Sequence, residues 1–319
     1  MAESLPQNFN HLKIHTQYSI CEGAIKIDDL QEYSKSNKIK SLGLCDTSNL
    51  CGALEFAEKI SKSGTQPIIG TQINFKIYDT IGLLPLYALN EIGYKNIIDL
   101  SSVSYLKNDE LSDPHVTFDY LLNNSQGIAL FSGTVFGLFG QLFDKGKFTE
   151  IHDLYNKIKS KFGDRFYIEI QRHKDLNENS FEKFNLKKSS DLEIPIIATN
   201  EVYYLDKNMY EAHDALICIG NKTYVNEKNR LKLTDQHYFK NNSEMSELFA
   251  DLPEALENNY NFPLRCNFRP LFSNPILPNI SQDKGGDADN ILRKNSIEGL
   301  KTKFEKVFKI QRDDLETNK

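Results

Sequence analysis

The stretch His11-Leu12-Lys13-Ile14-His15 carries the residue types of a metal site, with one exception among them. Side chains alternate faces along a strand, so the spacing predicts residues 11, 13 and 15 on one face, converging on a single spot. Two of the three are imidazoles and the middle one is an ammonium. A unit positive charge about 4 Å from a divalent ion is repelled by roughly 8 kcal/mol at an effective dielectric near 20. One lysine therefore separates a strand end that holds a cation from one that supplies its own.

Further residues of the same chemistry recur at the ends of other apolar runs. They are Asp46-Thr47-Ser48-Asn49, Gln72, Asn90, Ser132-Gly133-Thr134, Gln171-Arg172-His173 and Thr199-Asn200-Glu201. The runs that precede them read as strands: His11 to His15, Ser41 to Cys45, Pro67 to Phe75, Leu84 to Leu89, Gly127 to Phe131, Phe166 to Ile170 and Ile194 to Ala198. Helical patterns lie between most of them, at 27–37, 52–62, 91–105, 148–161 and 179–191, with Asp28 and Asn49 placed as caps. Strands alternating with helices favour a parallel sheet, and seven strands in about 200 residues suit a sheet closed into a barrel. The strand carboxyl ends of such a barrel form one rim, where the polar groups above are expected to meet.

Past residue 208 the texture turns helical and polar. A helix start is expected at Ser243 with Glu247, and another at Pro253. Three prolines between 269 and 278 and the Gly-rich SQDKGGDADN read as a linker, with a new unit from about Asp287. From Arg293 onward, eight Lys or Arg face five Asp or Glu on a pattern with Ile297, Leu300, Phe304, Val307 and Phe308 at helical spacing, a basic face on an amphipathic helix.

The chain has 319 residues, 39% hydrophobic, with a formal charge of −6, which argues against strong nucleic-acid binding by this segment alone. No apolar run reaches the roughly 20 residues of a membrane span, and the start lacks the layout of a secretory signal, so the expected location is cytoplasmic. Five scattered cysteines form no CxxC pair, and no P-loop, GxSxG or HExxH occurs. His213, on EAHDAL, reads as a helix residue of structural use.

The pieces HLKIHTQYS, LGLCDTSNLCGALEF, QPIIGTQI, LNEIGYKNIIDLSS, FYIEIQRH, IIATNEVYYL, EAHDALICI and ELFADLPEAL resemble, in order, the N-terminal PHP (polymerase and histidinol phosphatase) domain of bacterial DNA polymerase III alpha subunits. NILRKNSIEGLKTKF resembles the opening of the palm region of that family. The resemblance implies an α/β fold, a distorted seven-stranded β/α barrel over 1–270, a linker over 271–286 and a truncated palm start over 287–319. It also implies where a metal cluster would be: HxH falls on Lys13 and His15, DHG on Asp46-Thr47-Ser48, a glutamate on Gln72 and the final Asp-x-His on Glu201 and Tyr203. Glu22, Thr134 and His173 complete the former metal positions, of which His15, Asp46, Glu201, His173 and Glu22 keep ligand chemistry.

Lysine, threonine, glutamine and tyrosine in place of ligands predict no bound metal and no cofactor here, with Lys13 paired to Glu22, Asp46 or Glu201. The implied role is a scaffold and docking surface for a separate proofreading exonuclease subunit within a replicase. Nucleotidyl transfer with DNA, dNTPs and Mg2+ would belong to the rest of the polymerase. The rival expectation is a metal-dependent PHP phosphoesterase or 3′–5′ exonuclease.

Overall fold

The computed structural model describes residues 8–108, 112–275 and 287–308. They divide into two compact units between Leu271 and Phe272. The first contains β1 (His11–Ile14), α1 (Ile27–Ser36), β2 (Ser41–Thr47), α2 (Ala53–Lys62), β3 (Gln66–Ile77), β4 (Thr80–Ala88), α3 (Glu91–Leu106), β5 (Val116–Thr117), α4 (Phe118–Asn123) and β6 (Ile128–Phe131). Then follow α5 (Leu138–Asp144), α6 (Phe148–Phe162), β7 (Phe166–Ile170), α7 (Glu178–Leu192), β8 (Ile196–Ala198), β9 (Glu201–Val202), α8 (Tyr210–Gly220), α9 (Asn242–Leu248) and α10 (Pro253–Asn261).

The sheet runs β8-β7-β6-β4-β3-β2-β1-β9, with β5 appended to β3. Its two end strands, β8 and β9, are separated by only Thr199 and Asn200, so one stretch of chain pairs with β7 on one side and β1 on the other. The sheet thus curls until its edges meet, giving seven staves when β8 and β9 are counted as one. β4 is antiparallel to both β3 and β6 because a tight turn at Tyr78 and Asp79 returns the chain directly, and this is the distortion of the barrel.

Alternation sorts the side chains. Outward residues such as Leu42, Leu44 and Ile69 pack under α1 and α2, and Ile73, Leu86, Leu130 and Ile168 join the larger cluster under the other helices. Inward, Leu12, Ile68, Tyr87, Phe131, Tyr167 and Ile197 fill the barrel, and Phe262, just past α10, joins the same cluster. Gly70 is required there, because a Cβ at that position would come 2.5 Å from the Tyr87 ring.

One seam is sealed by a side chain. Asn259, wholly buried on α10, accepts the Asn10 backbone N–H at 2.8 Å and donates to the carbonyls of Asn10 and Ala198 at 2.9 and 3.0 Å. It ties the approach to β1 to the end of β8.

Several expectations change at the level of single residues. α1 and α2 are not capped by Asp28 and Asn49. Asp28 lies inside the first turn of α1, where its charge favours the helix N-terminus, and Asn49 bonds to the Tyr18 and Thr47 carbonyls. α9 starts slightly earlier than expected, capped two residues before Ser243 by an Asn241–Glu244 capping box; α10 does open at Pro253. The expected linker residues 276–286 lie outside the described residues. In the second unit α11 (Ala288–Lys303) begins after Asp287 as its cap, and Ile297 and Leu300 are exposed.

Candidate functional site

β1 does not alternate evenly. His11 pairs with Leu42 and Ile14 with Leu44, three steps on β1 against two on β2, so one extra residue bulges. The bulge presses on Gly43, where a Cβ would sit 2.2 Å from the Leu12 carbonyl oxygen. As a result Leu12 faces the barrel interior, and His11 leaves the expected face to pack on Phe239 at 3.9 Å and bond the Lys240 carbonyl at 2.8 Å. Lys13 and His15 remain together on the rim side.

Lys13 is 1% exposed, and its Nζ lies 3.0 Å from Glu201 Oε1, across the β1–β9 pairing. His15 Nε2 is 3.1 Å from the same oxygen. Glu169, on β7, is the second carboxyl facing the ammonium. Its Oε1 accepts from Gln171 Nε2 at 2.9 Å and from the Thr199 hydroxyl, while Oε2 has no hydrogen-bond partner.

Burial alone would push the Lys13 ammonium down, but Glu169 and Glu201 together hold it above its ordinary value. Burial would likewise raise Glu201, yet Lys13 and then His15 keep it well below the usual carboxylate range. At Glu169 burial prevails over Lys13 and its hydrogen bonds, and its affinity for a proton rises. The barrel mouth thus holds one charged lysine, one ionised glutamate and a second carboxyl under strain.

The other candidates form two further groups. Asp46 Oδ1 accepts the Thr16 N–H and the Ser19 hydroxyl, each at 2.7 Å, and Oδ2 accepts the Thr16 hydroxyl at 2.8 Å. The Thr47 hydroxyl donates to Glu22 at 2.5 Å and receives Gln72 Nε2 at 3.0 Å. Of the three partners expected for Lys13, only Glu201 is within ion-pair reach, because hydroxyl donors engage the other two acids. Tyr203 stacks on His15 at 4.5 Å.

His173, on the loop after β7, accepts the Glu201 N–H at 3.2 Å and stacks on His237 at 4.1 Å. Thr134 stands apart: its hydroxyl accepts the Phe136 N–H at 3.2 Å and lines a cavity of about 20 Å³ beside Glu169 and Gln171. Asn90 does not reach the rim, since antiparallel β4 carries it to the opposite end, where it caps α3.

Glu169 was not among the expected residues. A signal for it was present: Tyr167, Glu169 and Gln171 share a face of a strand otherwise built of Phe and Ile, and a carboxyl midway along a barrel stave must point into the barrel.

The donor set does not fit a metal cluster. Glu201 is engaged by an ammonium, Asp46 by three donors, and Thr47 and Gln72 offer neutral oxygen or amide groups that already bond one another. The cavity next to Glu169 has room for about one water and none for a phosphate ester.

His11 gives this end of β1 a pH dependence. Burial lowers it to about 3 against the bond to the Lys240 carbonyl, so its neutral form is favoured on folding. Stability is then fully present above the unfolded value near 6.5 and falls by about 1.4 kcal/mol per unit as pH drops toward 3. Urea midpoints at pH 7 and 5 should show His11→Gln losing that share of the acid dependence; an unaltered slope would refute the assignment.

The fold and rim define a class: a β/α barrel whose carboxyl-end mouth has the layout of a metal-ligating site filled by a side-chain cation. A profile of the PHP domain matches residues 11–173. The chain belongs to the PHP domain family. It is 37% identical over 313 residues to the DNA polymerase III subunit alpha of Caulobacter vibrioides, covering 96% of this chain and 27% of that protein. It is 35% identical over 309 residues to that of Rickettsia conorii, covering 97% and 26%. The chain therefore spans about a quarter of the length of these relatives. Among solved structures, one described as a metal-dependent phosphoesterase from Bifidobacterium adolescentis aligns over 62% of this chain and 88% of its own, with 13% identity and a TM-score of 0.31. No helix among the described residues is long and apolar enough to cross a membrane.

Proposed function

We propose that the chain is the PHP portion of a replicative DNA polymerase alpha subunit, with no hydrolytic centre of its own, serving as scaffold and as docking surface for a proofreading exonuclease subunit. The observation that carries the first part is the Lys13 ammonium 3.0 Å from Glu201, inside the barrel mouth. Metal-assisted hydrolysis needs a cation that both lowers the pKa of a bound water and keeps a coordination position open. An ammonium supplies charge and neither of those properties. Names of the relatives support the polymerase context; nucleotidyl transfer, with its magnesium ions, DNA and dNTPs, would be the work of residues outside this chain.

The purified chain is expected to hydrolyse bis-p-nitrophenyl phosphate with added Mn2+ or Zn2+ no faster than buffer. Hydrolysis by the wild type that disappears in Glu201→Gln would establish the phosphoesterase reading instead. The combined substitution Lys13→His, Thr47→His, Gln72→Glu and Tyr203→His restores the family's ligand types and is expected to gain bound metal at these positions. Sedimentation with the proofreading exonuclease subunit tests docking: a shared boundary is expected, and independent boundaries would remove that role.

A further inference from the structure

We propose that one buried water molecule is a fixed part of this fold, bound between the Asn185 amide and the Glu169 carboxylate, where it closes a ring of hydrogen bonds that starts and ends at Glu169. The ring begins on the backbone. Glu169 N–H donates to Ser132 Oγ at 2.9 Å, at a level of the sheet where β6 has already ended at Phe131. The Ser132 hydroxyl is in turn a hydrogen-bond partner of the Tyr155 phenol on α6. That phenol donates to Asn185 Oδ1 on α7 at 3.0 Å, so its oxygen is left to accept from Ser132. The same bond orients the Asn185 amide, with the oxygen toward Tyr155 and Nδ2 turned away from it.

Two ends of the ring remain. Asn185 Nδ2 and Glu169 Oε2 are buried without a hydrogen-bond partner, in residues 1% and 2% exposed. One is a donor and the other an acceptor. Both residues line the same cavity of about 20 Å³, between the end of β7 and the first turns of α7. One water needs about 10–15 Å³ of such space and at least two polar partners, so the cavity takes a single molecule. A water accepts from Nδ2 and donates to Oε2 at once. A cation would satisfy the carboxylate and oppose the amide N–H, and an anion would do the reverse.

The site bears on the rim because donation to Oε2 favours the carboxylate, the form whose charge complements the Lys13 ammonium. Burial draws Glu169 toward its protonated form, and a bound water works against that pull. α7, outside the barrel, thereby helps to set the charge of a group inside it.

A crystal structure of the full chain that shows ordered solvent tests the site without any variant. One solvent peak within about 3.2 Å of both Nδ2 and Oε2 is expected. Direct contact between the two side chains, or no peak joining them, would overturn the site. So would a peak within about 2.6 Å of the carboxylate with the amide oxygen turned toward it, the mark of a cation. The second readout is the carboxyl carbon-13 signal of Glu169 followed against pH. In Asn185→Leu, which fills the space and removes the anchor, its titration midpoint should rise by about one pH unit. An unmoved midpoint in the folded variant would overturn the role in setting the charge, and none of these results alters the Lys13–Glu201 pair.

Discussion

Lys13→Met is expected to lower the stability of the first unit by about 3–5 kcal/mol, the cost of stranding a buried charge whose partner has been removed. The partner is Glu201, 6% exposed at its side chain, and His15 is too weak a donor to replace an ammonium at 3.0 Å. The double substitution Lys13→Met with Glu201→Gln removes both charges and should recover most of the loss, because a buried pair exchanged for neutral groups of similar volume is often close to neutral. Urea unfolding at pH 7 measures both. Equal losses in the single and double variants would show that Lys13 acts by packing and not by charge.

The pH dependence gives a separate check. The folded pKa of Glu201 is depressed, so its share of stability is present above the unfolded value near 4.3 and lost as pH falls through the folded one. Lys13→Met should weaken that acid limb. Glu169 works the other way: its pKa is raised by burial, so the cost of its charge is relieved as pH falls. The two carboxyls facing one lysine thus oppose each other in acid.

The staves could be read from the chain because each is a buried run of β-branched and aromatic residues long enough to stand out, and the helices between them carry apolar faces at helical spacing. Even there, the two-residue β5 and the short α4 and α5 were missed, being too brief to show a period. At the site, Lys13 and His15 were placed together by their spacing along one strand, and Glu201 joined them through its place just after a strand and through the family resemblance. The face of His11 was misread, because a one-residue bulge between His11 and Ile14 breaks the alternation that puts residues 11, 13 and 15 on one side and leaves no mark in a strand of four residues. Glu169 needed the inward face of β7 to be recognised. His237 and Asn259 could not be found by any local rule, since each acts across the barrel from a segment whose own pattern is that of loop or helix.

The seam that Asn259 closes leads to the second large effect. Asn259→Leu preserves approximate volume and removes three hydrogen bonds, leaving the Asn10 N–H and the Asn10 and Ala198 carbonyls buried without those partners. At about 1–3 kcal/mol for each of the three stranded groups, the loss should reach about 3–9 kcal/mol, a large share of a typical domain's total. Asn259→Asp keeps the acceptor for the Asn10 N–H but sets a buried carboxylate oxygen against the two carbonyls, so at pH 7 it should lose at least as much as Asn259→Leu. Asn261→Ala, on an exposed neighbour, should stay within about 0.5 kcal/mol.

Hydrogen exchange locates the effect. If the side chain closes the barrel, amides of β1 and β8 must exchange faster in Asn259→Leu while those of the β3–β4 hairpin keep their protection relative to the global loss. The same opening should reach the rim, because β9 continues from β8 by two residues and carries the Glu201 that holds Lys13. Uniform acceleration at every strand would mean that Asn259 supports the core at large and that the seam is held elsewhere.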